Sequence, residues 1–258
     1  MEFEAVKVER EGALGFITLN RPDQYNTFST PLARELNEAL VQLDGDASVR
    51  VVVVKGAGKV FSTGIDLSEF PDKKPEEFKP WISQMDQMHK TIADMRKPVV
   101  AMAHRYAVAN GAGLLFAADF AIVSEDTRIG TTAVNLGLLC TGPIIPVSYG
   151  LSKKKGLEML LAGDMIDAHE AERLGLVNKV VPAENLEAET RAFAEKLAQK
   201  SPVAVAMGKR FYYRMLDMDF NRRLEYGSDV FSELCATEDA REGVASFFEK
   251  RKPNWKGK

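Results

Sequence analysis

Cysteine and histidine are scarce in this chain of 258 residues: Cys140 and Cys235 are the only cysteines, and His89, His104 and His169 the only histidines. Two cysteines cannot build a disulfide framework, so a reducing setting is expected. The histidines stand far apart, no HExxH pair occurs, and no Cys/His spacing suits zinc, so no metal is expected. A surplus of one charge is also missing: 34 Lys and Arg stand against 37 Asp and Glu, a net charge of −3. A dedicated nucleic-acid binder would carry a basic excess on one face, and the composition excludes that class. No apolar run reaches the ~18 residues of a membrane span. The start, Met1-Glu2-Phe3-Glu4, lacks the basic and apolar regions of a secretory signal. Low-complexity tracts and solenoid-length repeats are absent as well. What remains is 45% hydrophobic and 28% charged residues, which fits a globular, cytoplasmic protein with a sizeable core and the size of many enzymes.

The apolar pattern predicts an α/β fold. Residues 6–8 and 13–19 read as strands joined at Glu11-Gly12, and 49–54, 97–102 and 120–123 as almost wholly apolar strands covered on both faces. Helical periods fall at 76–95, 113–118, 153–161 and 168–174, and Thr30-Pro31 reads as N-cap and N1 of a helix carrying Leu32, Leu36, Ala39, Leu40 and Leu43. Beyond Pro182 the signals are almost all helical, at 185–200, 201–216, 221–234 and 237–250. We therefore expect a core over residues 1–200 and a helical region over 201–258 that packs on a neighbouring subunit.

Several motifs fail on inspection. Gly56-Ala57-Gly58-Lys59 has Val53 where a phosphate loop needs its first glycine, and Val60 where it needs Ser or Thr. Gly111-Ala112-Gly113 lacks the third glycine of a dinucleotide fingerprint, and no G-x-S-x-G elbow occurs. Two other segments place small residues between a strand and a helix start: Ser62-Thr63-Gly64-Ile65-Asp66-Leu67, and Ala107-Val108-Ala109-Asn110-Gly111-Ala112-Gly113. Free backbone N–H groups at such turns attract negative charge, and two facing turns could form an oxyanion hole. Glycines in strand-to-helix turns also serve plain backbone geometry, so spacing alone leaves both readings open.

The ordered motifs resemble the crotonase (enoyl-CoA hydratase/isomerase) superfamily nearly end to end. They are Asn20-Arg21-Pro22 with Asn26, then FSTGIDL, then the small-residue turn before Asp119. The segment from Ala168-x-Glu170-Ala171 to Val181-Pro182 and the stretch from Thr237-Glu238-Asp239 to Pro253 follow in order. The resemblance implies a spiral of ββα units, a homotrimer or dimer of trimers, and an acyl-CoA thioester as ligand, with coenzyme A part of the substrate and no separate cofactor. It puts the two oxyanion N–H donors on Ile65 and Asn110, the latter where the family usually has glycine, with Gly64 and Gly111 beside them. It puts the CoA portion over Gln24, Tyr25, Asn26, Ser62, Thr63, Asp66 and Leu67, and gives Phe247 and Lys250 the adenine and phosphate, often across a subunit boundary.

The same resemblance exposes a departure. Hydratases use two glutamates to activate water and protonate the α-carbon, and their places here are Gly113 and Ala133. Neither can transfer a proton, so ordinary hydration is expected to be weak or absent. Decarboxylation, thioester hydrolysis and non-catalytic acyl-CoA binding stay open. Trp81, Met85, Asn135, Cys140 and Thr141 are candidate acyl-pocket residues, although core packing explains Trp81 and Met85 equally well. Asp66 reads as a helix-start residue and His89 as packing beside the stripe Trp81, Met85, Met88 and Ile92.

Overall fold

The computed structural model describes residues 3–258. Its first strands, β1 (Val6–Glu11) and β2 (Leu14–Leu19), form an antiparallel hairpin turning at Gly12, whose φ of +58° suits glycine. Next, β3 (Val51–Gly56) and β4 (Val99–Ala103) join β2 in parallel. The chain then leaves through β5 (Tyr106–Val108) and returns as β6 (Phe120–Ser124). After β7 (Arg128–Gly130) and β8 (Met165–Asp167), β9 (Lys179–Val181) completes a six-stranded sheet of order β1-β2-β3-β4-β6-β9. Strands β5, β7 and β8 make a second, three-stranded sheet. The short strands β5, β7, β8 and β9 lie in stretches whose sequence predicts none.

The helices are α1 (Thr30–Gly45), α2 (Pro75–Asp94), α3 (Asn110–Ala117), α4 (Thr141–Ile144), α5 (Lys153–Ala162), α6 (Ala168–Arg173), α7 (Leu186–Ala198), α8 (Pro202–Met215), α9 (Phe220–Cys235) and α10 (Glu238–Phe248). Helix α1 is capped by Ser29, whose Oγ accepts from Leu32 N at 3.3 Å, so Thr30 is not the cap that the sequence suggests. Helix α3 starts at Asn110, three residues earlier than its apolar pattern predicts. The Ser201-Pro202 start of α8 agrees with expectation: Ser201 Oγ accepts from Ala204 N at 3.1 Å.

Why the central strands are apolar throughout is visible in their alternation, since successive side chains face opposite sides of a sheet. Val52 and Val54, with Ile17, Leu19, Val99 and Ala101, enter a large core closed by Leu36, Leu40, Met85, Met88, Ile92 and Leu114 of α1, α2 and α3. Val51 and Val53, with Leu14, Phe16, Val100 and Ile122, enter a smaller core closed by Leu186 and Ala194 of α7. A Cβ at Gly15 would meet Leu43 and Val49 at 2.9–3.2 Å, so that strand position must be small for α1 to dock.

The C-terminal helices are tied to the body by the tail. Ser201 Oγ donates to Asp239 Oδ2 at 2.7 Å, and the N–H groups of Lys256 and Gly257 donate to Asp239 Oδ1. Trp255 Nε1 reaches back to Gln199 O at 2.8 Å. That last hydrogen bond crosses position 200, where the change to helical signals suggests a boundary. Among the described residues no helix is long and apolar enough to cross a membrane.

Candidate functional site

The two small-residue turns lie against each other. After β3, Ser62 N donates to Tyr106 O at 3.1 Å, and Val108 N donates back to Ser62 O at 3.0 Å. These bonds lay residues 62 and 107 side by side as a parallel bridge. Gly64 has φ +102°, and a Cβ there would stand 2.7 Å from the Ala109 Cβ and 3.6 Å from Asn110 N. A Cβ on Gly111 would fall 2.8 Å from Ser62 C and closer still to its carbonyl oxygen. Both glycines are therefore required by close approach of one turn to the other. The strained residue is Ala109, at φ +48° and ψ −119°, while Asn110 opens α3 with helical geometry.

That packing leaves two donors together. Around Ile65, Phe28 N donates to Gly64 O at 2.7 Å and Asp66 N to Phe28 O at 2.9 Å. These bonds skip the Ile65 N–H, which has no acceptor among the described residues. Asn110 lies in the first turn of α3, where N–H groups have no intrahelical partner, and its N–H is also unmatched. The positive end of α3 adds to the field at that point. Such a pair can stabilise an oxyanion or an enolate oxygen.

Several other residues expected to touch ligand hold the first turn together. Asn26 is fully buried with φ +54°. Its Nδ2 donates to Ala57 O and Val60 O at 2.8 and 2.9 Å, and its Oδ1 accepts from Arg21 N. Ser62 is also fully buried and donates to Asn26 O at 2.8 Å. Against the opposing effect of burial, hydrogen bonds from Ser68 Oγ at 2.7 Å, Arg21 at 2.8 Å and Ser68 N at 3.2 Å hold the Asp66 carboxyl below the usual range. The side chains of Asn26, Ser62 and Asp66 therefore build the turn. Gln24, Tyr25 and Leu67 are exposed nearby, Thr63 is half-buried, and Thr63 N donates to Tyr25 O at 3.2 Å. Phe247 and Lys250 stand exposed at the end of α10, which packs on α8 and α9.

Of the acyl-pocket candidates, Trp81 is buried, edge-on to the rings of exposed Phe70 and half-buried Phe78, its Nε1 bonded to Glu69 at 3.1 Å. Asn135 is exposed, with its amide bound to Gly163 O at 2.9 Å. These two serve packing and a turn. Thr141 is exposed at the start of α4. Met85 and Cys140 are buried nearer the α3 turn: Met85 O lies 3.4 Å from Asn110 Nδ2, and the Cys140 thiol, pushed up by burial, accepts from the Ala133 backbone.

Asp86, on α2, touches the α3 turn, a contact that periodicity does not single out. Its Oδ1 accepts from Asn110 Nδ2 at 3.2 Å, and burial pushes its carboxyl up against that hydrogen bond. One turn on, His89 Nε2 lies 3.9 Å from Asp86 Oδ1, and neither ring nitrogen has a hydrogen-bond partner. The imidazole covers Gly113: a Cβ there would be 3.2 Å from His89 Cε1 and 3.1 Å from Pro143 Cγ. Any side chain at 113 would require that ring and Pro143 to give by a few tenths of an ångström. Burial lowers the His89 pKa from 6.5 to about 4, so the ring is neutral in the folded protein. Below pH 6.5 the unfolded chain takes up a proton that the folded chain refuses, so stability falls as the solution is acidified. We expect a loss of about 2 kcal/mol between pH 7 and 5 from this group. Urea titrations should find it absent in His89→Gln; equal acid sensitivity in both proteins would refute the assignment.

Among the described residues no cluster of three or more His, Cys, Asp or Glu is arranged to hold a metal. A family model described as "Enoyl-CoA hydratase/isomerase" matches residues 9–258. A "Probable enoyl-CoA hydratase" of Rhizobium meliloti is 35% identical over 257 residues, covering 99% of both chains. "Enoyl-CoA hydratase domain-containing protein 3, mitochondrial" of Xenopus laevis is 34% identical over 96% of this chain and 85% of its own. The crystal structure of an enoyl-CoA hydratase of Mycobacterium smegmatis superposes with a TM-score of 0.94 at 33% identity, covering 98% of this chain and 99% of that one.

Proposed function

Because the chain belongs to the enoyl-CoA hydratase/isomerase family, we propose that it binds an acyl-CoA thioester and polarises the thioester carbonyl with the Ile65 and Asn110 N–H groups. The observation that carries this reading is the pair of unmatched donors on two turns hydrogen-bonded to each other. Fixed donors aimed where charge develops need no reorganisation during reaction, and their effect is larger away from bulk water. The CoA portion would run over Gln24, Tyr25, Thr63 and Leu67, which border the first turn. Phe247 and Lys250 would meet the adenine and phosphates of a neighbouring copy's ligand in a trimer or dimer of trimers. Exposed Phe220, Phe231, Phe247 and Phe248 on α9 and α10 support self-association through that region.

The reaction favoured is enolate chemistry at the acyl group and not addition of water. Gly113 and Ala133 stand where the family's water-activating glutamates are expected, and losing a general acid or base costs about 10²–10⁴-fold. Crotonyl-CoA hydration should therefore run at least about a hundredfold slower than in a relative carrying both glutamates. Hexanoyl-CoA should still bind when titrated by calorimetry. Hydration at the ordinary enzymatic pace of about 1–10³ per second would defeat the reading of the reaction. Absence of hexanoyl-CoA binding would defeat the reading of the ligand.

A further inference from the structure

Helix α2 brings a carboxylate against the turn that opens α3. Asp86 touches the α3 turn through Asn110 Nδ2 at 3.2 Å, on the residue whose backbone N–H is offered to the thioester. It stands beside His89, which covers Gly113. On its other side a Cβ at Gly142 would overlap the Asp86 carboxylate, so the glycine there makes room for it. The Asp86 charge also reaches Cys140, whose sulfur accepts from Ala133. The side chain keeps 25% of its surface exposed, whereas the His89 nitrogens are sealed. Asp86 is thus partly accessible and in contact with Asn110, one neighbour away from position 113 through His89 and from position 133 through Cys140.

Resting on the acyl-CoA reading above, we propose that Asp86 is the acid–base group of this site and moves a proton between carbons of the bound acyl chain. With a 3-enoyl thioester, the carboxylate removes a proton from the carbon next to the thioester. The C–H electron pair passes into a dienolate whose oxygen accepts from the Ile65 and Asn110 N–H groups. The resulting carboxylic acid returns the proton to the γ-carbon. The electrons flow back, the C=O re-forms, and the double bond lies next to the thioester. No water, metal or second carboxylate is consumed, so a site without the glutamate pair suffices. Partial burial makes Asp86 a stronger base than an exposed aspartate, and His89, neutral at the same pH, does not offset this by adding positive charge.

The test is deuterium uptake from D₂O into trans-3-hexenoyl-CoA, followed by mass spectrometry together with formation of the 2-enoyl product. Wild-type protein should exchange and isomerise. Asp86→Asn keeps the shape and an acceptor for Asn110, and should slow both by at least about a hundredfold. Its affinity for hexanoyl-CoA should stay within about threefold of wild type. A second measurement needs no variant. The wild-type exchange rate should rise with pH through a midpoint above the usual aspartate range, with His89 and Cys140 the titratable groups facing Asp86. Exchange by Asp86→Asn within about threefold of wild type would overturn the proposal. So would a flat pH profile, or a wild-type protein that binds hexanoyl-CoA but exchanges nothing. Failure of wild type to bind hexanoyl-CoA would instead overturn the acyl-CoA reading itself.

Discussion

Asp119→Ala is expected to destabilise the protein by about 3–5 kcal/mol, the cost of breaking a buried ion pair from one side. Asp119, at the end of the segment after α3, accepts from Lys209 Nζ at 2.6 Å, Val99 N at 2.7 Å and Tyr213 OH at 3.0 Å. Lys209 also donates to Lys97 O at 3.0 Å. The two charged side chains are 6% and 10% exposed, so water cannot replace a lost partner. Burial pushes the Asp119 carboxyl up and the Lys209 ammonium down, and their attraction opposes both. Burial, with Asp119 alongside, also pushes Tyr213 well above its usual range. Lys209 and Tyr213 are one turn apart on α8, so one carboxylate docks that helix to the start of β4 and β6. Alanine at 119 leaves a buried ammonium without its counter-charge and strips Tyr213 and Val99 of an acceptor. Adding Lys209→Met to Asp119→Ala removes the stranded charge and should recover a large part of the loss, because apolar replacement of a whole buried pair is often near neutral. Guanidinium unfolding of the two single variants and the double variant measures this coupling. A single-variant loss below 1 kcal/mol would mean that the pair contributes little.

How far the chain could be read without coordinates depends on how local each cause is. The strand Val51–Val54 is apolar at every position because two cores lie on its two faces, and that signal is complete within four residues. Ser201-Pro202 opens α8 by purely local chemistry, and it too is legible. Strands β5, β7 and β8 have three residues each, too short to show a period of two, and only the second sheet organises them. Ser29-Thr30-Pro31 offers two capping hydroxyls in a row, and local pattern picks the wrong one by a single residue. At the site, the glycines and the two turns stand out in sequence, but the reason for them is contact between segments some 45 residues apart, such as Gly64 on Ala109. Asn26 reads as a polar loop residue, yet consecutive left-handed conformations at Tyr25 and Asn26 bury it as a clamp. Asp86 is hidden for a related reason. It sits next to the Trp81, Met85, Met88 stripe, where a carboxylate ordinarily faces water, and only the approach of α3 gives it Asn110 as a partner.

Gly111→Ala should reverse the usual sign of a helical glycine substitution. In a helix interior, Ala is favoured over Gly by about 1 kcal/mol, and Gly208 on α8, with open space around its Cα, should show a gain of that order when changed to Ala. At Gly111 the new methyl would lie 2.8 Å from Ser62 C and 2.9 Å from Ser62 Cβ. Ser62 cannot step aside, since Tyr106 O accepts from its N–H, Val108 N donates to its carbonyl, and its hydroxyl is bonded to Asn26 O. The strain must be relieved by parting the two turns. Overpacking of this kind costs about 1–3 kcal/mol, and here it also carries the Asn110 N–H away from that of Ile65. Loss of one oxyanion donor typically costs about 10²–10³ in rate. Thermal unfolding, with Gly208→Ala as the control, reads the first effect, and deuterium exchange of trans-3-hexenoyl-CoA reads the second. The two should fall together in Gly111→Ala, because the contact that stabilises the pair of turns is the one that sets the spacing of their donors. A Gly111→Ala protein as stable as wild type would show that the turns can separate freely, and a fixed oxyanion hole could not then be built from them.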